Sequence, residues 1–110
     1  MVMTEETKAK FDSLKVGDIL VSSCHYYGVF YDFYKVVGKT NASLKLQQLQ
    51  KKGFGSPNSC NYSVKPTETL IGEVMTKRPD RNGYLNFPYH YCAVDRLYKP
   101  DSTYTEDHMY

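Results

Sequence analysis

The sequence has no tryptophan and only three cysteines among its 110 residues. Cys24, Cys60 and Cys92 are widely spaced, and no C-x-x-C pair occurs. An odd, scattered set is not a disulfide framework, and it suits a reducing compartment. No stretch approaches the roughly 18–20 consecutive apolar residues that a membrane span needs. Met1 to Lys10 holds no apolar run that would serve as a signal peptide. The resulting expectation is a cytoplasmic domain with no membrane partner. Phosphate-loop, G-x-G-x-x-G, H-E-x-x-H and G-x-S-x-G patterns are all missing. Gly53-Phe54-Gly55 is a bare G-x-G with no helical pattern behind it. No alternation of strand and helix points to a parallel nucleotide-binding sheet, and no internal repeat is visible.

What is abundant is tyrosine, with 11 Tyr and 5 Phe. Half-buried strands favour Tyr, whose ring packs while its hydroxyl reaches water. A Tyr-rich binding face is the second, compatible reading, because Tyr gives large contact area at low entropic cost. The net charge of +2 is unevenly spread. Residues 1–34 balance to −2, residues 35–99 to +7, and residues 100–110 to −3. A basic middle between acidic ends suits a phosphate backbone or an acidic protein surface, or is simply solvated.

The length implies one domain spanning 1–110. A short helix is predicted over 4–13, capped by Thr4, with Glu5 and Glu6 in the first turn. Its apolar face is slight, so it must dock or fray. Gly17-Asp18 is a turn. Strands are predicted over Ile19–Tyr26, Val29–Val37 and Ser43–Leu49. Leu49 falls out of phase with Leu44 and Leu46, which predicts a bulge or strand end near Gln48. Residues 51–63 read as one long loop. Thr69–Thr76 is the next strand, interrupted by Gly72. Asn82-Gly83 is a hairpin turn. Tyr84–Phe87 follows, with Leu85 and Phe87 inward, and Tyr89–Tyr98 closes the series. From Pro100 the chain reads as an acidic flexible tail unless its tyrosines dock it. The fold class expected is mainly β: a small antiparallel barrel of about six strands over 16–99, with a short N-terminal helix.

Val16-Gly17-Asp18-Ile19-Leu20-Val21-Ser22-Ser23, Tyr31-Asp32-Phe33-Tyr34-Lys35-Val36-Val37 and Ser43-Leu44-Lys45-Leu46 resemble segments of small SH3-like barrels. More narrowly, they resemble uncharacterised proteins of about this length carried by phages and other mobile elements of bacteria. The matching Tyr-rich end is Tyr89–Tyr98, and the resemblance covers about half the chain. It implies an SH3-like barrel, a bacterial host's cytoplasm, and action on a host macromolecule, including host defence machinery. Its motifs are structural, so it transfers no active site.

Residue chemistry offers little for catalysis. His90 and Cys92 share a strand face, Cys24 and His25 are adjacent, and Cys60 lies in the loop. A structural zinc site uses paired ligands at short spacing, and only one such pair exists, so no metal or cofactor is expected. Cys24 with His90, or Cys92 with His25, lacks an orienting third group and an oxyanion hole. The better signal is a binding surface. Lys77, Arg78 and Arg81 crowd one turn, Lys51 and Lys52 open the loop, and Arg96 and Lys99 close the last strand, with Tyr84, Tyr89 and Tyr91 nearby. Arg and Tyr are hot-spot residues at protein interfaces. The same mixture suits single-stranded nucleic acid through phosphate pairing and base stacking. The leading expectation is a non-enzymatic binding module that occupies a host protein or protein–nucleic-acid complex, with inhibition of a defence protein or nuclease as one form of that action. The alternative is a nucleic-acid-binding SH3-like or KOW-like barrel. A small hydrolase or transferase and a self-assembling structural protein rank below these.

Overall fold

Thr4 starts the folded chain in the way its side chain suits. Its hydroxyl accepts the Thr7 backbone N–H at 3.2 Å, and helix α1 runs Glu5–Ser13. The helix docks chiefly through Phe11, which is 1% exposed, with Leu14 buried just beyond its end. Lys39 caps that end: its Nζ donates to the carbonyls of Phe11 (2.6 Å) and Leu14 (2.8 Å) and lies 4.6 Å above the Phe11 ring. A cation there meets the negative end of the helix dipole. These relations are seen in a computed structural model that describes residues 3–24, 28–54, 61–87 and 90–108.

Seven strands follow: β1 (Ile19–Cys24), β2 (Gly28–Lys39), β3 (Leu44–Phe54), β4 (Asn61–Lys77), β5 (Tyr84–Phe87), β6 (His90–Ala93) and β7 (Tyr104–His108). They form one antiparallel sheet in the order β3-β4-β7-β2-β1-β6-β5, with an additional pairing of β3 to β2. The fold is thus mainly β with one short helix, and the seven-stranded sheet is not closed. Lys77, at the end of β4, donates from Nζ to the Asn86 carbonyl of β5 at 2.6 Å and sits 4.6 Å over the Phe87 ring.

Two expectations change. The 51–63 loop is strand at both ends, since β3 continues to Phe54 and β4 begins at Asn61; residues 55–60 lie outside the described residues. The acidic segment after Pro100 carries β7, which pairs with β4 and with the start of β2. The irregularity expected near Gln48 is present, and its extra residues sit in the partner strand β4. Between Leu46 and Gln48 the β4 partner jumps from Met75 to Ile71, and between Leu49 and Lys51 it jumps from Leu70 to Pro66. Gly72, at φ 73°, takes the left-handed backbone that the first irregularity requires. The second surrounds Pro66, which has no N–H to give to a ladder.

Adjacent residues of β1 and β2 feed opposite faces. Leu20 and Tyr34 belong to a cluster with Phe11, Val36, Leu46 and Phe87. Val21 and Phe33 belong to a second, with Leu49 and Val64, rimmed by Tyr31, Tyr98 and Tyr104. Leu49 is out of phase because it serves this second cluster. A strand covered on both faces reads as a nearly continuous apolar run, as Ile19-Leu20-Val21 does. Each large side chain fully buried contributes about 1.5–3 kcal/mol.

Candidate binding surface

The hairpin that carries the surface is organised by Asp80 and Gly83. Asp80 Oδ1 accepts the backbone N–H groups of Asn82 (2.8 Å) and Tyr84 (3.0 Å). Gly83 has φ 91°, and a Cβ there would meet the Val94 side chain at 2.8 Å. Beyond the turn, alternation along β5 turns Leu85 and Phe87 inward and leaves Tyr84 outward. Asn86 pairs with Tyr91 of β6, which sets Tyr91 diagonally across from Tyr84. The two rings meet edge to face with centroids 5.2 Å apart. The Arg96 guanidinium lies 4.4 Å over the Tyr91 ring. Tyr84 and Tyr91 remain 43% and 38% exposed, and Arg96 is exposed. A hydrogen bond to Tyr91 is the main cause of a raised Tyr84 phenol pKa, with the neighbouring Tyr91 charge next.

The backbone fixes Arg96 as well. Val21 donates its N–H to the Arg96 carbonyl at 2.8 Å, and Tyr98 donates to Ile19 at 2.8 Å. Residues 96–98 therefore run beside β1, although β6 itself ends at Ala93. Next to them opens a cleft of about 320 Å³, lined by Arg96, Lys99, Tyr31 and Tyr104 among others. Its rim is held where Tyr104 Oη accepts the Lys99 N–H at 3.1 Å.

The ten sequence candidates divide. Tyr84, Tyr91 and Arg96 form the stacked shelf, and Lys99 joins Arg96 at the cleft. Arg78 and Arg81 are exposed at the hairpin tip, away from any described contact with the shelf. Lys52 stands opposite Lys65 on β4. Tyr89 lies outside the described residues. Lys77 and Lys51 have structural duties that the sequence concealed. Lys51 Nζ donates to Glu106 Oε2 at 2.6 Å and to the Tyr31 carbonyl at 2.8 Å, with Asp32 at 3.7 Å. Glu106 is fully buried and also accepts the Tyr31 N–H at 2.9 Å. The cleft also takes in Tyr31, which is far from the basic cluster in sequence and is brought beside it by the fold.

Nucleophile chemistry finds little support in these groups. Cys92 is 1% exposed, and burial pushes its thiol up to about 12, so it stays protonated. Cys24 is a half-buried free thiol. His25 and Cys60 lie outside the described residues, and the described residues contain no group of three metal-ligating side chains. No protein-family model, curated protein or solved structure matches the chain.

Proposed function

We propose that this chain is a non-enzymatic binding module of a phage or other mobile element, working in the cytoplasm of a bacterial host. It occupies a surface of a host protein, with a defence protein or nuclease as the target class. The finer fold reading that accompanies this is an SH3-like barrel left open between β4 and β5. The observation that carries the proposal is the exposed stack of Tyr84, Tyr91 and Arg96. Tyr and Arg dominate interface hot spots, and rings already held against each other lose little freedom on binding. A protein partner is favoured over a phosphate backbone because Lys51 and Lys77 spend their ammonium groups on carbonyls and Glu106.

The test is affinity capture from a bacterial lysate, with and without nuclease. The expected result is one defined protein retained after nuclease treatment and bound roughly tenfold more weakly by the Tyr84→Ala/Tyr91→Ala variant. Capture that vanishes with nuclease, with affinity falling steeply as salt rises, would transfer the assignment to the nucleic-acid barrel.

A further inference from the structure

We infer that the cleft beside the shelf is a pocket for a carboxylate, and that it receives an acidic side chain flanked by apolar ones in an extended segment of the partner protein. This rests on the protein-binding reading above. The cationic wall is Arg96 and Lys99. Neither has an acidic partner among the described residues. Asp95 also faces the cleft, its carboxylate 3.7 Å from a Lys10 Nζ that it shares with Glu6 at 3.4 Å, so two cations stand against one carboxylate in the lining. Asp101 lines a different hollow, behind the same segment, with Lys65. Ser102 and Thr103 add polar groups to the wall.

The rest of the lining includes apolar and aromatic side chains, from Val21, Tyr31, Leu97 and Tyr104. It is also rigid. Tyr31 and Tyr104 meet edge to face at 5.5 Å, and Tyr104 and Tyr98 both pack against the fully buried Phe33. The backbone beneath Lys99 is fixed by Tyr104 Oη and by the Ser102 N–H, which donates to the Lys99 carbonyl at 3.0 Å. A cleft lined by two cations and by packed rings matches a carboxylate next to an apolar residue. One arginine and one lysine beside a carboxylate suit a single negative charge better than a doubly charged phosphate.

The experiment uses the full chain, labelled with ¹⁵N, titrated with a blocked peptide of alternating Glu and Leu. The control peptide has Gln for every Glu. Saturable amide shifts centred on Arg96–Lys99 and Ser102–Tyr104 are expected with the acidic peptide. Roughly tenfold weaker binding is expected for the Gln peptide and for Lys99→Glu, an exposed substitution that leaves the core intact. Equal binding of the two peptides, shifts elsewhere, or indifference to Lys99→Glu would overturn the pocket. Tighter binding of a short oligothymidylate at the same amides would overturn the carboxylate in favour of phosphate. The Tyr84→Ala variant keeps peptide affinity within about twofold, since Tyr84 packs on Tyr91 and does not line the cleft. Loss of lysate capture in that variant can therefore stand while the pocket fails, or the reverse.

Discussion

The two hydrophobic clusters are closed by different means. The first, on the helix side, is filled with Phe11, Leu20, Leu46 and Phe87, and α1 covers it. The second is smaller, and its rim is tyrosine. Along that side β7 is held by Glu106, a fully buried carboxylate answered by Lys51 and the Tyr31 N–H. One side is secured by packed volume and the other by a charge pair and rings. The exposed functional features follow the same division. The cleft opens on the tyrosine rim, where side chains have an apolar body and a polar tip. A volume-packed core has no such margin.

The largest expected departure between the two sides comes from Phe11→Ala, which removes the helix's anchor and leaves a cavity. Destabilisation of about 4 kcal/mol is expected, read from urea unfolding. Alkaline pH is next, and it acts on the first cluster. Burial pushes the Cys92 thiol up to about 12 and, with help from Asp32, the Tyr34 phenol to about 12. Both groups belong to that cluster. Each folded value lies above its unfolded one, so their contribution is complete below about pH 9 and is lost as pH climbs towards 12. A fall of a few kcal/mol across that window is expected, and Cys92→Ala should flatten part of it. A thiol reagent at pH 8 should spare Cys92 until the chain unfolds. The smallest effect belongs to Glu106→Gln, which keeps an acceptor for Tyr31 but takes from Lys51 its nearer counter-charge and leaves Asp32 at 3.7 Å. About 2 kcal/mol is expected, because Lys51 can still reach water. A loss as large as that of Phe11→Ala would erase the distinction between the sides.

Local chemistry was legible wherever the residue that made a signal also used it. Thr4 caps α1, Asp80 and Gly83 make the hairpin turn, and Tyr84–Phe87 alternates as it should. The reading failed where a residue's partner lies far along the chain. Apolar periodicity has no place for Glu106, so the strand around it read as an acidic tail. Lys51 and Lys77 read as surface cations because nothing near them in sequence announces Glu106 or the Asn86 carbonyl. Leu49 read as a broken alternation because the pattern assumed one core, and the fold has two. Of the candidate surface, residue types were legible and neighbours were not. Tyr84, Tyr91 and Arg96 come together through the β5–β6 register and the path of 96–98 beside β1.

β4 also carries an open margin. Past β7 its outer edge runs without a neighbouring strand among the described residues, and Leu70, Ile71 and Val74 are exposed along it. A straight edge of that composition is the template on which sheets of separate molecules fuse into fibres. The displaced stretches at Pro66 and Gly72 break the even spacing of donors and acceptors that such growth copies. The chain keeps an apolar margin and denies it a repeat, so backbone shape joins the exposed Glu68 and Glu73 of the same strand in opposing polymerisation.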